Sequence, residues 1–355
     1  MFFASDNAGP AHPAILDALS DANRGYQSGY GADPLTAEVQ EMVREIFEAP
    51  RAAVHLVGTG TAANTLLLAT MANPWETVFC TGESHISDDE CNGVEAASGG
   101  ASLTHVPSKG AKMTAEALAD VLQVRGAHGV HTPQRGPVSI TSVTERGTIY
   151  SVEEISAITD VAKSYGLKTH LDGARFANAL VSLGCTPAEM TWKAGVDAVS
   201  FGGTKNGCLG VEACILFDPD DSWQFQLRRK RGGHLYSKHR LLSAQMKGYL
   251  TDGLWLDLAR QANVAAARLK AGIEAAGLGD SLVTDPAANM LYVRWPRRVH
   301  QALTDAGATY YLTRGSLDGS NPDELLTGRL VCDWSMTDEG VDEFLGHLQG
   351  ARAAA

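Results

Sequence analysis

The sequence predicts an α/β fold: a large unit over residues 1–250 with parallel strands and crossover helices, then a smaller α+β unit over residues 251–355. Three observations carry this. Short apolar runs alternate with amphipathic helical patterns along most of the chain, the rhythm of strand, crossover helix and parallel strand. One β-α-β unit, near residues 138–171, has its own cap signals. After about Tyr249 the pattern changes to a long Ala-rich stretch followed by a short strand-bearing region.

In chain order, Ala53-Val-His-Leu-Val57 is a strand that runs into Gly58-Thr-Gly-Thr61 and then a helix from Ala62 to about Met71. Val78-Phe79-Cys80 is the next apolar run. Val138-Ser-Ile-Thr-Ser-Val143 is a β-rich strand. Ser151-Val-Glu-Glu154 follows with the S-x-x-E pattern, in which serine and glutamate side chains satisfy the first free N–H groups of a helix. Val152, Ile155, Ile158, Ala162 and Tyr165 then recur at spacings of three and four, and Gly166 is placed to end the helix. Leu167-Lys-Thr-His-Leu171 is the following strand. Thr186-Pro187, a capping residue and then proline, opens a second helix that stops at Gly195. The strand carrying Val199 and Phe201 comes next. Lys205 therefore lies just beyond a carboxyl end, the edge at which open α/β sheets bind ligands. In the second unit a helix spans about Leu254 to Ala276, with strands near Met290-Leu-Tyr-Val293 and Arg329-Leu-Val-Cys332. The N-terminal segment, about residues 1–35, is expected to pack on the small unit or on a partner subunit.

Composition removes several classes of function. A formal net charge of -12 repels nucleic acid and anionic lipid. No apolar run approaches the roughly 20 residues of a membrane span. The opening "MFFASDNAGP" has no basic region followed by an adequate apolar one, so it does not read as a signal peptide. The six cysteines are scattered, form no CxxC pair and have no metal-site spacing. They read as reduced thiols of a cytoplasmic protein, and no metal is expected.

Three constellations carry chemistry. Gly58-Thr-Gly-Thr-Ala-Ala63 has the form G-x-G-x-x-A between a strand and a helix, so a dinucleotide site must be weighed. The motif lies well into the chain, and Glu76 precedes the next apolar run instead of ending it. A single phosphate on a helix N-terminus fits better, and a plain tight turn is the bland alternative. His170-Leu-Asp-Gly-Ala-Arg175 puts Asp172 and Arg175 at a strand's carboxyl end. They are either a helix cap with its ion-pair partner, or a carboxylate aimed at a heteroaromatic nitrogen with an arginine free for an acid group. Ser200-Phe-Gly-Gly-Thr-Lys-Asn-Gly207 puts Lys205 among side chains small enough to leave room for a flat cofactor. A phosphate loop, a carboxylate and a lysine at one sheet edge together fit pyridoxal phosphate (PLP), which uses a pyridinium partner and a lysine Schiff base. His85 in "ESHISDDE" would by default be a loop histidine, with Asp89 either orienting it or capping a helix.

These segments, with "SDNAGPAHP" and "YGADP" near the start, "GTGTAAN", "HLDGARFANAL", "RRKRGGHLYSKHRLLSAQM" and "GRLVCDWS" near the end, resemble the threonine aldolases along nearly the whole chain. The resemblance implies an aspartate-aminotransferase-like large domain (fold type I of the PLP enzymes) with a mainly parallel seven-stranded sheet. It implies that Lys205 forms the Schiff base with PLP and Asp172 keeps the pyridine nitrogen protonated. Gly60 and Thr61 would bind the phosphate, and His85 would stack on the ring. Ser5, Arg175 and Arg329 would hold the substrate carboxylate. His131 would be a second active-site histidine near the substrate hydroxyl, with His128 competing from the same irregular loop. Arg231 would reach a neighbouring subunit's phosphate, unless the basic segment Arg228–Arg231 is simply a solvated helix face. Tyr30-Gly-Ala-Asp-Pro34 would lie at a dimer interface beside the active site, within a homo-oligomer built as a dimer of dimers.

The implied activity is retro-aldol cleavage of L-threonine, L-allo-threonine and related β-hydroxy-α-amino acids to glycine and an aldehyde. The base for the hydroxyl proton is either a histidine or a water held by His85 and His131. The nearest rival is a related PLP lyase acting on another β-substituted amino acid, such as phenylserine or 3-hydroxyaspartate, or a β-eliminating lyase. A nicotinamide-dependent dehydrogenase using the glycine turn is more distant and gives Lys205 no role.

Overall fold

The computed structural model describes residues 1–126 and 128–353. Its strands are β1 (Ala53–Val57), β2 (Glu76–Thr81), β3 (Ser102–Val106), β4 (Ser108–Lys109), β5 (Lys112–Met113), β6 (Gln134–Thr141), β7 (Thr169–Gly173), β8 (Ala198–Gly202), β9 (Glu212–Leu216), β10 (Met290–Pro296), β11 (Tyr311–Arg314) and β12 (Leu325–Val331). Its α-helices are α1 (Pro13–Ala22), α2 (Pro34–Ile46), α3 (Gly60–Met71), α4 (His85–Asp88), α5 (Gly93–Ser98), α6 (Ala115–Val124), α7 (Val152–Ser164), α8 (Phe176–Leu183), α9 (Pro187–Met190), α10 (Ser222–Arg231), α11 (Arg240–Leu250), α12 (Leu254–Ala275), α13 (Arg297–Asp305) and α14 (Asp338–Ala353).

Seven strands form the main sheet in the order β1-β9-β8-β7-β6-β2-β3. Its pairs are parallel except those made by β9, which runs antiparallel to both β8 and β1. The interior strands β7, β8 and β9 are buried at every position, as strands covered by helices on both faces must be. α3 explains part of that cover. Ala62 through Ala69 are all buried, the signature of a helix apolar all round. It packs between the sheet and the helices α5 and α10.

Register brings the functional loops together. Val57 and Gly202 both pair with Glu212, Gly173 pairs with Phe201, and Asp172 pairs with Thr141. The carboxyl ends of β1, β8, β7 and β6 therefore share one edge, and the segments that leave them converge there.

The expected elements are present with shifted bounds: the strand placed at 167–171 is β7, Thr169–Gly173, and the one placed near Arg329–Cys332 is β12, Leu325–Val331. The strand placed at 138–143 begins four residues earlier and ends at Thr141. The helix placed from Thr186 to Gly195 breaks after one turn: Thr191 leaves helical geometry at φ -124 and ψ -107, and Trp192–Ala194 form a separate 3₁₀ turn. Trp192 uses its indole N–H to reach Phe47 O at 2.8 Å, a tertiary contact that re-aims the segment. Ser151 and Glu154 form the reciprocal capping box that their spacing announced.

The second sheet, β10-β12-β11, is antiparallel and is covered by α12, α13 and α14. The chain's first residues belong to it as well. Phe3 donates its N–H to Thr309 O at 2.7 Å, and its ring lies 4.8 Å from that of Phe344. α12 joins both cores: Trp255, Leu258 and Ala259 pack into the large one, Ala265, Ala266, Leu269 and Ile273 into the small one.

Candidate active site

The turn after β8 holds Lys205 through its neighbours. A Cβ on Gly202 would run into the backbone of Ala174, and one on Gly203 would come within 2.8 Å of Val211 O. The glycines are thus required by close backbone approach. Gly203 N–H donates to Glu212 Oε2 at 2.8 Å, and Asn206 Nδ2 donates to Tyr249 Oη and Trp255 O, both at 2.8 Å. The lysine stands on a rigid turn. Burial, and then the charge of Arg175, hold its amine below the usual lysine range against the pull of Asp6, Asp172 and Glu212. An amine that sheds its proton more easily is a better nucleophile toward a carbonyl.

Asp172 is buried at the end of β7. Its Oδ1 accepts from Ala174 N–H at 2.9 Å and its Oδ2 from Asn64 Nδ2 at 2.9 Å. The same Asn64 Nδ2 donates to Glu90 Oε1 at 2.9 Å, and that oxygen lies 2.7 Å from His85 Nδ1. One amide on α3 thereby ties the aspartate to the carboxylate that holds the histidine. The orienting partner of His85 is Glu90, and not Asp89, whose side chain is exposed at the end of α4. The hydrogen bond that Glu90 accepts keeps the imidazole protonated to higher pH than usual, against the opposing effect of burial.

Arg175 does not pair with Asp172, so the reading as a simple cap with its ion-pair partner is set aside. Its Nε and one Nη donate to the two oxygens of Asp6 at 2.6 and 2.9 Å, a fork-to-fork pair that fixes the guanidinium plane. Asn289 Nδ2 supports Asp6 at 3.1 Å. Burial alone would raise the Asp6 pKa, but Arg175 and Lys205 hold it below the ordinary carboxylate value. Arg329, on β12, donates one Nη to Ala4 O at 3.0 Å and leaves Nε buried without a partner.

Of these groups, His85, Arg175, Lys205 and Arg329 line a cavity of about 410 Å³, together with Ser5 and Glu145. Arg175 and Arg329 make one wall cationic and suited to a carboxylate. Glu83, Asp88, Asp89 and Glu145 add four carboxylates to the lining, and Arg146 a third arginine. Gly60 and Thr61 open α3 beyond the end of β1, on the same sheet edge. Thr59 Oγ1 takes Ala62 N–H at 3.1 Å, while the N–H groups of Gly60 and Thr61 have no partner among the described residues.

Two expected residues are not brought here within one chain. His131 is exposed before the amino end of β6, and His128 is exposed three residues further back. An eight-residue strand separates that edge from the one bearing Asp172, roughly 25 Å at 3.3 Å per residue. Loop irregularity hid this, because the spacing to the next strand could not be read. Arg231 is exposed at the end of α10 and does not line the cavity. The basic segment is not a uniformly solvated face either. Arg229 is buried and donates to Leu56 O at 3.2 Å, and Arg228 donates to Ala97 O at 3.1 Å. Sequence reasoning missed Asp6, Asn64, Glu90 and Glu145. Asp6, Asn64 and Glu90 stood inside the quoted motifs, the first and last beside Ser5 and Asp89, whereas Glu145 gave no periodic or pairing signal.

Residues 3–295 match the family described as beta-eliminating lyase. The low specificity L-threonine aldolase of Pseudomonas sp. (strain NCIMB 10558) is 36% identical over 352 residues, covering 99% of this chain and 98% of the relative. The chain belongs to the beta-eliminating lyase family. Among the relatives in it, the low specificity L-threonine aldolase of Pseudomonas aeruginosa is 38% identical over 341 residues, 96% of this chain and 95% of that one. The solved structure of Leishmania major threonine aldolase superposes with a TM-score of 0.91 at 29% identity, over 100% of this chain and 99% of that chain. Serine palmitoyltransferase from S. paucimobilis, at 18% identity and a TM-score of 0.71 over 100% of this chain and 87% of that chain, shares the fold.

The sheet agrees with this family and not with a dinucleotide fold. β1, which precedes the glycine turn, is at the sheet's edge beside antiparallel β9, so the turn has no adjacent parallel strand to complete a nucleotide-binding half. The residues fit PLP. Gly60 and Thr61 offer unfilled helix donors to a phosphate, Asp172 offers a buried carboxylate to a pyridinium, and Lys205 offers an amine of lowered basicity. Among the described residues no cluster of His, Cys, Asp and Glu could hold a metal ion, and no helix is long and apolar enough to cross a membrane.

Proposed function

We propose that this chain is a PLP-dependent aldehyde-lyase that cleaves L-threonine, L-allo-threonine and related β-hydroxy-α-amino acids to glycine and an aldehyde. The observation that carries the reading is the convergence of Lys205, the Asp6-locked Arg175, Arg329 and His85 on one cavity at the carboxyl edge of the sheet. Bound PLP would supply a positively charged ring that accepts the electrons of the breaking Cα–Cβ bond. Lys205 would hold the cofactor covalently until substrate arrives. Asp172, steadied by Asn64, would keep a proton on the ring nitrogen. Gly60 and Thr61 would carry the phosphate, and His85, held by Glu90, would cover the ring. Arg175, Arg329 and Ser5 would grip the α-carboxylate and so fix which bond at Cα stands upright, a positioning contribution.

With Arg175 and Arg329 assigned to the α-carboxylate, four lining carboxylates against Arg146 support a neutral β-substituent over the second carboxylate of 3-hydroxyaspartate. We read the active form as a homo-oligomer with its site beside a subunit interface. Exposed Tyr30, Leu209 and Tyr236 near the Gly58 turn support this, and a role for Arg231 or His131 would have to be played across such an interface. Six free cysteines agree with a cytoplasmic protein.

The deciding experiment adds L-threonine to PLP-loaded protein and follows acetaldehyde through a coupled alcohol dehydrogenase, with glycine measured in parallel. Equimolar products are expected. Lys205→Ala should abolish turnover and leave PLP only reversibly bound; near-normal turnover in that variant would overturn the reading.

A further inference from the structure

Resting on that reading, we propose that Glu145 is the base that takes the β-hydroxyl proton during cleavage. The reaction needs a group beside Cβ that can accept a proton, and the two histidines considered for it do not serve within the chain. His131 is on the opposite sheet edge. His85 keeps its proton to higher pH than usual, so it is better placed to donate than to accept.

Glu145 has the geometry. It lines the cavity with Lys205 and Arg175. One carboxylate oxygen, Oε1, accepts the backbone N–H of His85 at 2.8 Å, which anchors the side chain. The other, Oε2, is buried and accepts no hydrogen bond among the described residues, with the Thr141 hydroxyl close enough to bear on the carboxyl's charge. Tyr292 Oη donates to the Glu145 carbonyl at 2.5 Å and holds the backbone from the small-unit side. Glu145 therefore shares one cavity with His85, Arg175 and Arg329. With the arginines holding the α-carboxylate, the β-hydroxyl, only two bonds from Cα, would lie within that same cavity.

Charge bears on the proton's home. Burial pushes the Glu145 carboxyl up to about 7, and the Asp172 carboxylate pushes the same way. The backbone N–H groups of Glu145 and His85 and the Thr141 hydroxyl pull it down by less. Arg175 and Tyr292 face it from α8 and β10, and Cys80 and Tyr150 from β2 and the segment before α7. A carboxyl that titrates near neutrality is matched to acid–base work there.

The step balances without a further reactant. Glu145 carboxylate takes the hydroxyl hydrogen as a proton. The oxygen's electron pair becomes the second bond of the aldehyde carbonyl. The Cα–Cβ pair stays on Cα, which then gains a proton to become glycine. The proton on Glu145 returns to solvent before the next turnover.

The test uses Glu145→Gln and Glu145→Asp in PLP-loaded enzyme. Glu145→Gln is expected to lose about 100-fold or more in kcat for threonine cleavage, with KM changed by less than about threefold. Exchange of the glycine Cα hydrogen with D2O involves no hydroxyl proton and should fall far less. The rise of wild-type kcat through about pH 7 should vanish in Glu145→Gln and persist, displaced, in Glu145→Asp.

A second readout needs no turnover. A carboxyl whose pKa rises on folding stabilises the fold fully below about 4.5 and loses that contribution as pH climbs through about 7. Melting of the apoprotein should therefore decline across that window less steeply in Glu145→Gln than in wild type. Equal losses of cleavage and exchange, retention of cleavage in Glu145→Gln, or parallel melting curves would each overturn the proposal. Wild type that exchanges glycine but cleaves no β-hydroxy amino acid would instead overturn the functional reading on which it rests.

Discussion

Asp6 shows how one buried side chain can set the geometry of another. Its two oxygens hold the edge of Arg175 formed by Nε and one Nη, which would leave the remaining Nη for a substrate carboxylate in the proposed function. Removing the charge while keeping the shape should unlock the guanidinium more than it alters the chemistry. Asp6→Asn is expected to raise KM for L-threonine about tenfold, roughly the 1.4 kcal/mol of one weakened charged contact, with a smaller effect on kcat. Steady-state kinetics decide it, and an unchanged KM would show that Arg175 needs no such partner. The sequence could place the lysine, the aspartate and Arg175 at this edge because each lies just past or at a strand end in a motif of small residues, whereas Arg329, inside β12, was pointed to by the resemblance alone. Asn64 was not legible, since a buried asparagine inside an apolar helix looks like a local defect until its two carboxylate partners, from residues 26 and 108 positions away, are seen.

Elements were most legible where local chemistry alone sets a boundary. β1 begins and ends at the expected residues, and α7 starts at the capping box read from Ser151 and Glu154. Ser151→Ala should remove the serine half of that box and cost about 1 kcal/mol, a fall of roughly 2–4 °C in Tm for a protein this large. Calorimetry measures it, and cleavage should be unaffected because α7 contributes nothing to the cavity. β6 was harder to place. Its first residues, Gln134 to Pro137, have no strand character, yet they pair with β2 because Gly136 lets the chains approach: a Cβ there would stand 2.8 Å from Thr77 O. α9 ended early for the converse reason, a side chain drawn away to another element.

For the whole molecule, the two cores are joined by α12 and by the amino-terminal segment. That segment begins on the small sheet, delivers Ser5 and Asp6 to the cavity and returns to the lysine turn, where His12 N–H meets Gly207 O at 2.9 Å. Any movement of the small unit would therefore carry Arg329 and the Asp6–Arg175 pair with it. Electrostatics is also a property of the assembled edge. Glu212 is buried beneath the lysine turn, and burial pushes its carboxyl up to about 7. Because its pKa is higher folded than unfolded, it stabilises the apoprotein fully below about 4.5, and this contribution is lost as pH rises through about 7. Glu212→Gln should flatten the decline of apoprotein Tm over that window. An unchanged slope would mean that Glu212 does not titrate there.

Chemistry carried by neighbours in the chain could be read without coordinates. Caps, the glycine turns, the lysine among small residues and the strand-end aspartate depend on spacings of a few residues, and they sufficed for fold class, cofactor and reaction. Contacts between distant segments could not be read in this way. The pairing of Arg175 with Asp6, the bridge from His85 through Glu90 and Asn64 to Asp172, the unpartnered oxygen of Glu145 and the separation of His131 from the site all arise from sheet register. Register depends on how seven strands pack at once, and no local stretch of sequence encodes that.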